Sequence, residues 1–241
     1  MNLLDAFDGA YVLSLPERTD RRREMERELR RADVGLRTGQ LAEKLRFFPA
    51  IRPTEATPFP SIGIRGASLS HLAILRDAEA RGLSRVLVLE DDAEFEPGFQ
   101  ARAAPLLAAL ARRAWGMVHL GHLGGPATPP GAEAGWFEFE GAITGAHCYG
   151  VSWAALRPLI ALFEEQHRGV PGDDRRGPMP ADGTLNVFRW LNPDFPRLLA
   201  VPSLVGQRSS RSDITPSRID RVPALRPLVR IARAIRARRR R

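Results

Sequence analysis

Apolar and polar positions follow two rhythms along this chain, and the switches between them mark out its elements. Residues 9–15 (GAYVLSL) are a short apolar run of strand length, closed by Pro16. Thr19 or Asp20 can cap a following helix that runs to about residue 33, with Arg and Glu crowding its wet face. Residues 46–51 (RFFPAI) read as a second short strand, and Pro53, Pro58 and Pro60 make 53–60 a loop. Leu69, Leu72, Ala73 and Arg76 recur at helical spacing, so 66–81 reads as a helix that Gly82 closes. Residues 85–89 (RVLVL) form the clearest strand of all and run straight into Glu90-Asp91-Asp92.

Beyond that point the alternation continues. An Ala- and Leu-rich helix is expected over 97–113, a strand over 117–120 and a Gly/Pro-rich loop over 121–135. Strands follow at 136–140 and 147–152, then a helix at 153–167. Residues 169–180 are polar and turn-rich, 183–190 can form a short helix, and 198–201 a last strand. Strands alternating with helices predict an α/β domain: a three-layer sandwich around a mostly parallel sheet.

Charge divides the chain in two. The formal net charge is +8 and the isoelectric point about 11.0, which invites a nucleic-acid or membrane reading. Residues 218–241, however, hold ten arginines against the single acid Asp220. The remaining body, 1–217, is close to neutral, so no nucleic-acid partner is expected. In the tail, Leu225, Leu228, Val229, Ala232 and Ile235 recur as one stripe with arginines covering the rest. That is the profile of an interfacial helix drawn to anionic lipid, at roughly 1 kcal/mol per basic residue near the surface. A solubilising tail or a nucleic-acid arm are the rival readings. The lone cysteine, Cys148, excludes an internal disulfide. No run of about 20 apolar residues is present, and Asp5 and Asp8 spoil any leader-like start. A cytoplasmic protein, peripheral on the inner membrane through its tail, is the expectation. One lysine among many arginines suggests GC-rich bacterial coding.

The chemistry centres on Glu90-Asp91-Asp92. Three consecutive carboxylates repel one another, and in an open α/β sheet ligands bind beyond the carboxyl ends of the strands, where this cluster falls. Strand alternation turns Glu90 and Asp92 one way and Asp91 another. Paired oxygen donors suit Mg²⁺ or Mn²⁺ held together with phosphate oxygens. A solvated turn capping the next helix is the plain alternative.

Eight segments in order resemble glycosyltransferase family 25, which includes lipopolysaccharide galactosyltransferases and relatives that glycosylate collagen. They are YVLSLPERTDRR (11–22), FFPAI (47–51), GIRGASLSH (63–71), VLVLEDDAEF (86–95), HLG (119–121), GAHCYGVSWAAL (145–156), PADG (180–183) and PSLVGQRSSRSDI (202–214). Two positions depart from the family's pattern: Ile64 stands where an acid is usual, and Ala67 where a cysteine is usual.

The resemblance implies a GT-A fold and inverting transfer from a UDP-sugar, often UDP-galactose, to a lipopolysaccharide or other cell-surface glycan. It implies Asp92 as direct metal ligand, with Glu90 supporting the metal or the ribose. Arg18, Arg22, Ser70, His71, Glu90, Asp91 and Gln207 are then the candidates for donor contact. Arg21 and Arg23 read as solvated helix face, and His71 equally as an internally bonded histidine. Asp182 is the first candidate for the general base and Asp213 the second, although Asp182 also suits a helix N-cap. A non-catalytic nucleotide- or glycan-binding relative is the alternative function.

Overall fold

The computed structural model describes residues 1–34, 36–37, 40–41, 43–127, 133–169 and 177–208. Asp213 and the tail 218–241 lie outside these residues. After a 3-10 turn at Leu3–Ala6 come β1 (Gly9–Ser14), α1 (Thr19–Arg31), β2 (Leu36–Arg37), β3 (Gln40–Leu41), β4 (Leu45–Pro49) and α2 (Ile62–Ala80). They are followed by β5 (Arg85–Glu90), β6 (Ala93–Phe95), α3 (Phe99–Leu110), β7 (Met117–Leu123), β8 (Gly135–Glu138) and β9 (Thr144–Ser152). The last elements are α4 (Trp153–Arg168), α5 (Ala181–Leu191), β10 (Arg197–Val201) and β11 (Val205–Gln207).

Seven strands make the central sheet in the order β4-β1-β5-β9-β7-β10-β8. β4, β1 and β5 run parallel to one another, as do β7 and β10. β9 runs against β5 and β7, and β8 against β10. Five strands therefore share one direction, and the sheet is mixed where β9 enters. β1 is buried along its whole length because helices cover both faces. Strand alternation then feeds two cores. Ala10, Val12, Leu87 and Leu89 pack with Met25 and Leu29 of α1 and with Phe99, Ala103 and Leu107 of α3. Tyr11, Leu13, Val86 and Val88 pack with α2, α4 and α5 on the other face. This is the three-layer α/β sandwich expected from the sequence.

The differences are local and have identifiable causes. α2 begins at Ile62 rather than residue 66, because the Ser61 side chain accepts the Ile64 N–H at 3.2 Å and caps it. Gly66 is thus a helix residue, and its lack of a side chain is what lets the helix approach the preceding loop. A Cβ there would sit 2.7 Å from the Ile51 carbonyl oxygen. β7 runs to Leu123 instead of ending at residue 120, held by β9 across a bulge. The antiparallel pair β6–β11 joins segments 110 positions apart, with Gln207 opposite Ala93. No local pattern predicts it.

Candidate functional site

The strands β1 and β5 end side by side, and everything at the site follows from that register. Leu13 lies opposite Glu90, and the Asp91 N–H donates to the Leu13 carbonyl at 3.1 Å, one step beyond the strand. The chain then bends into β6. A cavity of ≈ 420 Å³ opens at this edge. Its walls include Leu13, Ser14, Leu15, Arg18 and Arg21 from the end of β1 and the start of α1. Ile51, Arg52 and Pro53 line it from the loop after β4, and Gly63, Gly66, Ala67 and Ser70 from α2. Glu90, Asp91, Asp92 and Gln207 close it.

The three acids have separate environments. Asp91 turns back into the protein, accepting from Ser14 Oγ at 2.7 Å and from Arg21 at 2.9 Å. Its carboxylate, expected among the donor contacts, is engaged by the protein itself. Glu90 and Asp92 converge instead on the Gln207 amide. Gln207 Nε2 lies 3.4 Å from Glu90 Oε2 and 3.4 and 3.3 Å from the two Asp92 oxygens. Burial pushes the Glu90 carboxyl up, but His71, helped by His147 and Arg21, outweighs it and leaves the pKa below the usual value. For Asp92 the help from Arg21 and the Gln207 amide is too weak to prevail. Burial first, and the Glu90 charge second, push its pKa up to about 7. The positive charge near the pair, Arg21 at 4.0 Å from Asp92, does not offset the repulsion between the two carboxylates.

Two arginine expectations are corrected. Arg21, read as solvated helix face, is only 13% exposed and bridges Asp91 at 2.9 Å and Asp92 at 4.0 Å. Arg22, read as a donor contact, is 57% exposed, pairs with Glu26 and lies over the Phe47 ring at 4.5 Å. It is not among the cavity walls. The α1 stripe explains the swap: Arg21, Met25 and Leu29 are four residues apart, and Met25 and Leu29 are fully buried. That spacing was available in the sequence. Arg18 does line the cavity and pairs with Asp20 at 2.9 Å.

Ser70 lines the cavity, but its hydroxyl is engaged by the backbone. It donates to the Gly66 carbonyl at 2.6 Å and accepts the Ile51 N–H at 2.8 Å, tying α2 to the loop after β4. His71 is completely buried behind the acids, outside the cavity wall. Its Nδ1 is 2.9 Å from the Tyr149 hydroxyl and its Nε2 is 3.4 Å from Glu90. It therefore supports Glu90 and does not face the cavity. Asp182 sits in the first turn of α5, away from the cavity lining. Its two oxygens accept from Gly145 N and from its own neighbour Gly183 N, both at 2.9 Å, which ties α5 to the start of β9. Asp213 falls outside the described residues.

Several site residues had no local signal. Ser14 and Arg52 join the cavity through the sheet edge. Arg208 fastens the acidic turn from behind, its N–H donating to the Asp92 carbonyl at 2.8 Å and its guanidinium to Glu24 at 2.8 Å. Among the described residues no three His, Cys, Asp or Glu side chains converge as a complete metal site. Two carboxylates and one carboxamide do converge, a set that could hold a hard cation whose shell is completed by phosphate oxygens and water.

No family model matches the chain. It is similar to the human protein named inactive glycosyltransferase 25 family member 3, 32% identical over 129 residues covering 48% of this chain and 22% of that protein. It is also similar to mouse procollagen galactosyltransferase 2, 28% identical over 129 residues covering 48% of this chain and 21% of that protein. The matches thus span about a fifth of these relatives' length. A solved structure of a glycosyltransferase involved in the glycosylation of the major capsid of PBCV-1 aligns at a TM-score of 0.49 and 12% identity, over 85% of this chain and 94% of that one. The eight ordered segments and the sequence matches point the same way: the chain is similar to glycosyltransferase 25 family members.

Proposed function

We propose that the chain is an inverting, metal-dependent glycosyltransferase that moves a sugar, galactose in the first instance, from a UDP-sugar to a hydroxyl of a lipopolysaccharide or other cell-surface glycan. One observation carries the reading: a single cavity holds Glu90, Asp92 and Gln207 on one wall and Arg18, Arg21 and Arg52 on others. A nucleoside diphosphate bound with a divalent cation needs both kinds of group. Glu90 and Asp92 would hold Mn²⁺ or Mg²⁺, which when bound offsets the charge on the departing diphosphate.

The protein's own side chains do the remaining work. Arg18 and Arg52 supply positive charge at the cavity for the diphosphate. Arg21 holds Asp91 and leans on Asp92, so the acidic turn keeps its shape. His71 orients Glu90 from behind. Asp182 is the proposed base that takes the acceptor's hydroxyl proton as the hydroxyl attacks the anomeric carbon. Residues 218–241 are proposed to hold the enzyme on an anionic inner-membrane surface, near a lipid-linked acceptor, with the protein otherwise cytoplasmic.

The test is a screen of UDP-, GDP- and CMP-sugars for manganese-dependent thermal stabilisation, followed by turnover. A donor at 100 times its Kd adds about 2.7 kcal/mol. UDP-sugars alone should stabilise the protein, and Asp92→Asn should abolish both stabilisation and transfer. Near-normal turnover of Asp92→Asn in manganese would sink the assignment. The relative named as inactive supports a second reading, a non-catalytic nucleotide or glycan binder. Hydrolysis or transfer of a UDP-sugar in manganese rejects it, and binding without either supports it. For the tail, deletion of residues 222–241 should abolish cosedimentation with anionic vesicles, and unchanged sedimentation would reject the membrane role.

A further inference from the structure

Gln207 reaches the acidic cluster from the far end of the described chain, and the backbone around it is fastened on two sides. β11 pairs with β6, with Gln207 opposite Ala93. The next residue, Arg208, donates its N–H to the Asp92 carbonyl at 2.8 Å. Its guanidinium reaches Glu24 at 2.8 Å and the Ala93 and Asp91 carbonyls at 3.4 and 3.5 Å. The 207–208 segment and the Asp91–Ala93 turn therefore move as one unit, and the Gln207 side chain has little choice of position.

At that position its amide faces carboxylate oxygens of two residues, with Nε2 between 3.3 and 3.4 Å from three of them. Such distances are long for N–H···O, whose usual range ends near 3.2 Å. The NH₂ group thus stands, loosely held, where two acids call for a positive charge. A carboxamide's terminal torsion is soft and roughly two-fold, so half a turn exchanges NH₂ for the carbonyl oxygen without moving the rest of the side chain. With the oxygen inward, Glu90, Asp92 and Gln207 present oxygen donors only, which is what Mg²⁺ and Mn²⁺ select. A neutral amide suits both states. It donates to the carboxylates when no cation is bound, and adds no third negative charge to a pair that already repels.

We propose that Gln207 is a third protein ligand of the divalent cation, reached by turning over its amide, and that β11 and Arg208 hold it in register for that role. The proposal deepens the metal reading of Glu90 and Asp92 and rests on it. It also differs from the diphosphate contact that the family resemblance implies for Gln207.

The experiment titrates the full chain with Mn²⁺ alone, following free Mn²⁺ by electron paramagnetic resonance, for the native protein and for Asp92→Asn, Gln207→Leu and Gln207→Glu. Native protein should bind and Asp92→Asn should not. Gln207→Leu should weaken Mn²⁺ binding about tenfold. Gln207→Glu keeps the oxygens and adds a charge, so it should bind at least as tightly as the native chain, which guards against a folding defect in the leucine variant. Native-like Mn²⁺ binding by Gln207→Leu, with binding lost in Asp92→Asn, overturns the proposal and leaves the metal reading standing. Weakened UDP binding without metal, alongside unchanged Mn²⁺ binding, assigns Gln207 to the diphosphate and also overturns it. If the native chain and Asp92→Asn behave alike, the metal reading fails and takes the proposal with it.

Discussion

Asp91 and Asp92 are neighbours in one acidic turn, yet their environments call for opposite responses to the same substitution. Asp91 is 9% exposed and Arg21 13% exposed, and each Asp91 oxygen has its own donor, Ser14 on one side and Arg21 on the other. In Asp91→Asn the new NH₂ can face Ser14, whose hydroxyl rotates to accept it, leaving Arg21 a neutral oxygen. The loss is then that of a charge-assisted hydrogen bond in a largely buried place, about 1.5–3 kcal/mol. Asp92, at 4.0 Å from Arg21, is too far to replace the bond. For a chain of this size that corresponds to a fall in Tm of about 3–12 °C. Asp92→Asn should instead leave Tm unchanged or raise it in metal-free buffer, because it removes a charge that Glu90 opposes. Thermal and urea unfolding of both variants in EDTA would check the pair of outcomes. An Asp91→Asn protein as stable as the native one, or an Asp92→Asn protein that loses several degrees, would refute the division of labour.

The same geometry carries further expectations. The Asp92 pKa lies near 7 in the folded state and near 3.8 unfolded, so the unfolded chain releases that proton first and metal-free stability should fall as pH rises from about 4 through 7. Unfolding curves across that range should show the slope in native protein and a reduced slope in Asp92→Asn. Gly66→Ala would place a Cβ 2.7 Å from the Ile51 carbonyl, costing about 1–3 kcal/mol by overpacking and shifting the cavity wall. An unchanged urea midpoint would contradict that contact. Asp182→Ala removes the acceptor for Gly145 and Gly183 N–H and should cost about 1 kcal/mol, like loss of a helix cap. Asp182→Asn separates this tie from base chemistry: lost transfer with normal UDP binding supports the base, and full activity rejects it.

Much of this protein was legible locally. The run RVLVL had to be a buried strand because its residues are apolar on both faces, and β5 is that strand. The alternation of such runs with helix-period segments required a layered α/β domain, and three consecutive acids at a strand end marked the edge where a ligand can sit. Position along a helix also carries information, since Arg21 stands on the Met25–Leu29 stripe. What the chain could not disclose locally was pairing at a distance. Asp91 is held by Ser14 across 77 positions and Gln207 reaches Glu90 across 117, and no periodicity encodes either contact. The type of each acid was set by sequence. Which acid is engaged by Ser14 and Arg21 and which two converge on Gln207 depended on the register of β5 on β1 and on the return of β11, because only close packing decides which carboxylate meets a guanidinium and which meets another carboxylate.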